Sequence, residues 1–183
     1  PDPEPALSLL EQRFEAEAGR LRRVGLLARF RAEDYDRGTI LPHEQTRKGP
    51  KQDRYRVLRA TRANFSPIFL MFADSGRFAA RVATVIADPP AVVYTDDGGT
   101  RHRLWRVGDA DDIAAFSAAL ADTPAYIADG HHRYATALRY RDELGPDGAW
   151  TYGYFTPLGA PGLVVQPYHR ILAEGPGLDQ ARE

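Results

Sequence analysis

Residues 125–145, AYIADGHHRYATALRYRDELG, contain the pattern that decides the fold of this chain. The apolar residues 126–128 are typical of the end of a buried strand, and Asp129-Gly130 indicates a sharp turn. A helix is predicted to begin at once with His131 and to end before Gly145-Pro146, because glycine followed by proline commonly terminates helices. The segment therefore predicts a strand, a glycine turn and a helix N-terminus in succession.

This junction also has the composition of a ligand site. A helix that starts directly after a glycine turn presents unpaired backbone N–H groups and the positive end of its dipole, which together favour a phosphate. Arg133 adds a planar fork that matches two phosphate oxygens, and His131 and His132 titrate near neutrality. Asp-Gly is also a common turn pair, and histidines near a helix start can simply cap or fill space. All five residues together favour a functional site, since ligands dock at such junctions in α/β folds.

The rest of the chain predicts alternating short elements without an internal repeat. Asp96-Asp97-Gly98-Gly99 is typical of a hairpin turn, and Asp109 is a candidate N-cap. Strands are predicted over residues 24–31, 68–72, 91–94, 102–107, 150–156 and 163–166, in addition to the strand before Asp129. Helices are predicted over residues 50–63, 76–86 and 109–121, in addition to the one after Gly130. This order indicates an α/β fold with a mixed sheet flanked by helices.

Composition sets the outer limits of function. With 183 residues, 43% of them hydrophobic, residues 1–183 are expected to form a single α/β domain. A net charge of −1 and a pI near 6.6 give no general attraction to nucleic acid or membrane. The chain lacks cysteine, which excludes thiolate chemistry and is compatible with a cytoplasmic location. The start PDPEP resembles a linker, so we expect an internal fragment of a longer protein.

A second chemical segment is Leu41-Pro42-His43-Glu44. Pro42 breaks regular structure, so His43 and Glu44 are expected on a loop after the first predicted strand. A carboxylate there can accept a proton from a substrate hydroxyl or ligate a metal. Taken alone, Glu44 would be interpreted as a solvated surface residue.

Further candidates follow along the chain. Lys48 and Lys51, the only lysines, lie in a basic, glycine-containing stretch that is either a solvated charge run or a loop that neutralises a nucleotide tail. Asn64 is interpreted as a helix cap, with a substrate ligand as the alternative. His169 and Arg170 follow an apolar stretch and are equally compatible with a cleft and with a structural role. His102, between two arginines, is predicted to be an exposed strand residue.

Four segments in order resemble those of the bacterial and archaeal domain-of-unknown-function family 1015. The first three are DYDRGTILPHEQT at 34–46, ATRANFSPIF at 60–69 and DGHHR at 129–133. The fourth is PYHRIL at 167–172. The chain is identified as a member of that family on these four matches. DGHHR also resembles the matching loop of ParB-like proteins, sulfiredoxins and the free serine kinases.

The resemblance implies a ParB/sulfiredoxin-like core with an inserted hairpin. By similarity to the free serine kinases it implies a nucleotide-dependent phosphotransferase that acts on a small, serine-like hydroxylated metabolite. Glu44 would be the base, with His43, His131 and His132 as the other catalytic candidates. ATP or ADP would bind through Asp129, Gly130, Arg133, Lys48, Lys51, His169 and Arg170. Mg²⁺ would bind through Asp129.

Two other classes of function remain open. His43, Glu44, Asp129, His131, His132 and His169 offer ligands for a metal that activates water, which would make the protein a metal-dependent hydrolase of a phosphorylated substrate. A non-catalytic nucleotide-binding switch, as in ParB-like clamps, is the other class. Nucleic acid is not an expected partner because the chain lacks a basic footprint. A membrane is not expected either, because no apolar run is long enough to span one.

Overall fold

The computed structural model describes residues 4–17, 19–44, 48–121 and 123–164, with the backbone alone at 48–51. The eight strands in this part of the chain are β1 Leu7–Ala16, β2 Gly19–Arg31, β3 Ile40–Leu41, β4 Ile68–Phe72, β5 Val92–Thr95, β6 Arg101–Val107, β7 Ala125–Asp129 and β8 Trp150–Pro157. The four α-helices there are α1 Lys48–Thr61, α2 Arg77–Val85, α3 Ala110–Ala121 and α4 His131–Leu144.

All eight strands form one mixed sheet in the order β3-β7-β4-β8-β2-β1-β6-β5. The β3–β7 and β4–β8 pairs are parallel, whereas the other neighbours are antiparallel. The predicted α/β class with a mixed sheet is therefore confirmed. The predicted hairpin is also present, since β5 and β6 pair on either side of residues 96–100.

The hydrophobic core lies between one face of this sheet and the helices. Leu9, Leu26 and Leu70, from three strands, are each at most 1% exposed. Phe78 of α2 contacts Phe72 of β4 edge to face, and through Phe116 it links α3 to the same cluster. Such burial of large apolar side chains supplies the main driving force for the fold.

Helix α4 is anchored to the segment that follows β2. Tyr134 is fully buried, and its ring lies parallel to that of Phe30. Its hydroxyl donates to the Glu33 carbonyl at 2.6 Å and accepts from the Glu33 amide at 3.0 Å. Arg141, farther along the helix, donates to the Ala32 carbonyl and pairs with Asp34. These contacts fix α4 against the chain that leads through β3 to His43.

Most of the predicted elements are confirmed within one or two residues at each end. The prediction over residues 68–72 matches β4 without a shift, and Asp109 caps α3 by accepting from the amides of Asp111 and Asp112. Strand β2 is longer than predicted, and β1 was missed altogether. β1 is held by pairing with β2 and with the distant β6.

Three local predictions are wrong. His102 is buried, because its ring stacks on Tyr94 and its Nε2 lies 2.8 Å from Asp96 Oδ2. Asn64 does not cap α1, which ends three residues earlier at Thr61. The strand predicted over residues 163–166 is not formed in its described half. There the Leu163 amide instead closes a turn by donating to the Ala160 carbonyl, and residues 165–166 lie outside the described ranges.

None of the helices in the described ranges combines the length and the hydrophobicity that a bilayer crossing requires.

Candidate functional site

The turn between β7 and α4 has the geometry that the sequence predicts. Gly130 adopts φ 100° and ψ 23°, a conformation that is strained for residues with a Cβ, and α4 starts at the next residue. Among the described residues, no side chain caps this helix. Within that part of the chain its first N–H groups therefore lack side-chain acceptors, a geometry that favours an anion at the positive end of the helix dipole.

Arg133 folds back over this turn. Its Nη2 pairs with Asp129 Oδ2 at 2.5 Å, and a Cβ placed on Gly130 would lie 2.9 Å from both Nε and Nη2. The Nε atom is buried and has no hydrogen-bond partner within the described ranges, and the same is true of Nε2 of His132. A guanidinium at the N-terminus of a helix is disfavoured by the dipole. A bound anion would supply acceptors beyond the Asp129 carboxylate, which already pairs with Nη2.

This arrangement makes Gly130→Ala a sharp test, with Gly76→Ala as its matched control. Gly76 precedes α2 with φ 96°, and nothing lies within 4 Å of a Cβ built there, although here the Asp74 carboxylate accepts from the Phe78 and Ala79 amides. Both variants should lose about 1–2 kcal/mol of unfolding free energy, measured in urea, because each forces alanine into the left-handed region.

Only Gly130→Ala should also weaken the binding of inorganic phosphate or nucleotide, since only there does the new methyl group displace the Arg133 guanidinium. Equal anion affinity in the two variants would show that anion binding does not depend on the position of the Arg133 guanidinium.

The loop after β3 brings His43 and Glu44 to the first residue of α4. The Glu44 Oε1 atom lies 3.3 Å from His131 Nδ1, and the His43 amide donates to His131 Nε2 at 3.2 Å. The His43 ring meets the His131 ring edge to face, and its Nδ1 lies 2.7 Å from the Ile127 carbonyl. Because that carbonyl can only accept, Nδ1 of His43 carries a proton. The predicted loop position of His43 and Glu44 is confirmed.

These contacts determine the state of His131. Burial of the ring lowers its pKa, and the neighbouring His43 lowers it further, whereas Glu44 and Asp129 offset part of this shift. His131 is therefore neutral at pH 7. Since its Nε2 accepts from the His43 amide, its single proton lies on Nδ1 and faces the Glu44 carboxylate. Glu44, whose side chain is 51% exposed, therefore lies between His131 Nδ1 and solvent at the helix start.

A cavity of about 290 Å³ lies between α1, α4 and the segment before β4. Its polar lining comes from both helices and the intervening loop, with Asp53, Arg54, Asn64 and Arg133. The apolar lining comes from α1 and the start of β4, with Val57, Leu58, Phe65 and Ile68. The lining thus combines two arginines with an exposed aromatic ring, a chemistry suited to a ligand with both an anionic and a flat apolar part.

The structure brings most of the described candidate residues together at one end of α4. His43, Glu44 and His131 form one contact group, and Asp129, Gly130 and Arg133 form the adjoining turn. His132 follows with its buried Nε2. Of the basic stretch, Arg54 reaches the cavity. The side chains of Lys48 and Lys51, and all of His169 and Arg170, lie outside the described part of the chain.

Sequence reasoning did not identify Phe65 as a site residue. Phe65 is 73% exposed and lines the cavity that Arg133 also lines. The available signal was a large aromatic residue between Asn64 and Ser66, directly after a basic helix. That pattern is equally typical of a core residue, so only its exposure distinguishes the two.

Comparison with known proteins places the chain in a family. The family model described as "Protein of unknown function (DUF1015)" matches residues 1–182. Searches of curated proteins and of solved structures found no match. Since the family model covers nearly the whole sequence, the chain belongs to the DUF1015 family of proteins of unknown function.

Proposed function

We propose that this protein is a nucleotide-dependent phosphotransferase that phosphorylates the hydroxyl group of a small, serine-like metabolite. The observation that carries the proposal is the position of Arg133. Its guanidinium lies over Gly130 at the N-terminus of α4, and among the described residues this helix start has no side-chain cap and the buried Nε has no partner. A phosphate group supplies further acceptors at this helix start, beside the Asp129 carboxylate that already pairs with Arg133.

Glu44 supports a transfer reaction rather than binding alone. In the proposed reaction Glu44 accepts the proton of the acceptor hydroxyl as that oxygen attacks the terminal phosphorus of the nucleotide. The bond from phosphorus to the bridging oxygen breaks, and the shortened nucleotide leaves with its electron pair. His131 keeps the carboxylate in place through its Nδ1 proton, and Arg133 balances charge on the phosphoryl oxygens.

The DGHHR turn adds a resemblance to this argument. It resembles the turn of ParB-like proteins, sulfiredoxins and free serine kinases, which is an argument from similarity and supports a related core fold. Mg²⁺ bound with the nucleotide would neutralise phosphate charge, and the second oxygen of the exposed Asp129 carboxylate is a candidate ligand. A nucleotide-dependent reaction also fits a cytoplasmic location.

Calorimetric titration of ATP, ADP and CTP with Mg²⁺ tests the binding step. The wild type should bind at least one nucleotide at micromolar concentration, and Arg133→Ala should weaken that binding at least tenfold, since charge-assisted hydrogen bonds to phosphate contribute about 1.5–3 kcal/mol. Arg20→Ala is the control, because Arg20 is 82% exposed at the far end of β2 and pairs there with Glu15. A wild type that binds no nucleotide would refute the proposal.

A metal-dependent hydrolase is the second candidate, because ligand atoms of His43, Glu44 and His131 all lie within 4.8 Å of one another. The hydrogen bonds disfavour it. A metal on Nδ1 of His131 would move the proton to Nε2, where it would face the donating amide of His43. Hydrolysis of a phosphorylated substrate that requires Zn²⁺ or Mn²⁺ but no nucleotide would favour this class.

A non-catalytic nucleotide-binding switch is distinguished by Glu44. A switch should bind nucleotide and respond to it equally well with or without this carboxylate, whereas the transferase requires Glu44 for turnover. Replacing Glu44 and measuring binding and transfer in the same preparation therefore separates the two.

A further inference from the structure

The cavity beside Arg133 carries one inference that extends the proposed function and rests on it. We infer that Phe65 is the stacking platform for the base of the bound nucleotide, so that the base lies in the cavity while the phosphates lie at Arg133. Phe65 would thereby be the residue that makes the site bind nucleotides rather than any polyphosphate.

The exposed apolar side chains that line the cavity support this inference. Phe65 is 73% exposed and Val57 is 46% exposed, and both line the cavity. A single exposed apolar side chain is ordinary, but two that line the same concave site as two arginines indicate an amphiphilic ligand. The planar ring of Phe65 matches the π-face that every nucleobase presents.

The cavity is also continuous with the turn at Gly130. Arg133 belongs to both parts of the proposed site, because it lines the cavity and also lies over the Gly130 turn. A ligand whose phosphate meets its guanidinium therefore extends either toward Glu44 or into the cavity. The donor nucleotide needs both directions, with its terminal phosphate toward the base Glu44 and its nucleoside toward Phe65.

The polar lining agrees with a base in the cavity. Asp53 offers only acceptors and Asn64 offers both donors and acceptors, which is what the hydrogen-bonding edge of a base requires. Ser66 lies on the rim beside Phe65. These groups are available to discriminate bases, whereas Phe65 supplies affinity that is common to all of them.

The test compares ATP with inorganic tripolyphosphate, which has the same phosphates but no base, in the presence of Mg²⁺. Phe65→Ala should weaken ATP binding about tenfold or more, while tripolyphosphate binding stays within twofold of the wild type. Phe65→Tyr should restore ATP binding because it keeps the ring. Leu158→Ala is the control, since Leu158 is 44% exposed and does not line the cavity.

The outcomes separate this inference from the proposed function. If the wild type binds ATP but Phe65→Ala has no effect, the inference is overturned and the phosphotransferase proposal stands. Equal weakening of ATP and tripolyphosphate binding overturns the inference as well, because Phe65 would then maintain the structure of the site rather than contact the base. A wild type that binds neither probe overturns both proposals. Because the Phe65 side chain is 73% exposed, the variants should unfold in urea at the same denaturant concentration as the wild type.

Discussion

Glu44→Gln should reduce the turnover number about 10²- to 10⁴-fold while leaving nucleotide affinity within about twofold, since this is the range that a positioned general base contributes. The amide keeps the size of the side chain and can still accept the Nδ1 proton of His131, but it cannot take the proton of the acceptor hydroxyl. The site should therefore keep its geometry and lose the chemical step.

The measurement follows phosphorylated product from serine and related hydroxylated amino acids with saturating nucleotide and Mg²⁺. Glu143→Gln is the matched control, because it removes a carboxylate from the opposite end of the same helix, where the side chain pairs with Arg59. Full activity in Glu44→Gln, alongside an active wild type, would remove Glu44 from the mechanism.

Glu11→Gln should lower the unfolding free energy by about 3 kcal/mol near neutral pH, the lower end of the range for breaking a buried ion pair. Glu11 is fully buried in β1 and contacts three arginines through their Nε atoms: Arg103 at 2.6 Å, Arg22 at 2.5 Å and Arg13 at 2.8 Å. Arg13 and Arg22 are 45% and 44% exposed, so water can partly solvate them once the carboxylate is gone.

The pH dependence of stability provides a second measurement of the same group. Burial by itself would raise the pKa of Glu11, but the hydrogen bonds from Arg103, Arg22 and Arg13 outweigh it and lower the pKa from 4.5 to about 2. Because the folded state holds its proton less tightly than the unfolded state, the stabilisation is fully present above pH 4.5 and is lost as the pH falls toward 2. That shift corresponds to about 3 kcal/mol.

Glu11→Gln should therefore remove this part of the acid sensitivity, so that the two stability curves converge near pH 2. Glu15→Gln is the matched control on the same face of β1. The side chains of Glu15 and its partner Arg20 are 70% and 82% exposed, and such a pair contributes only about 0–1 kcal/mol. Equal losses in the two variants would contradict the role assigned to burial.

Local chemistry was enough to predict most of the secondary structure. Asp109 caps α3 because its short carboxylate reaches the amides of the first helical turn, and Gly130 allows the left-handed backbone that a tight strand-to-helix turn requires. The hairpin of β5 and β6 follows from its Asp-Gly turn. Each of these signals lies within a few residues of the feature that it predicts.

The errors at Glu11 and His102 occurred where side-chain partners, rather than the polarity of the residue itself, decide burial. Strand β1 contains Glu11 at a fully buried position, which a pattern of hydrophobic and polar residues treats as exposed. Three arginines from three different strands make that burial possible. His102 was predicted to be exposed for the same reason, although Asp96 and Tyr94 enclose it.

The features of the candidate site also fall into two groups, those that the local sequence predicts and those that depend on tertiary contacts. By itself the sequence determined the α/β class and the DGHHR turn with its left-handed glycine and helix start, because glycine conformation and helix starts depend on neighbouring residues. Only the tertiary structure decided that the loop with His43 and Glu44 meets His131, 88 positions along the chain, and that Phe65 shares a cavity with Arg133. Those contacts depend on how the strands pair and how α4 packs on the chain after β2, and no local preference of the backbone specifies either.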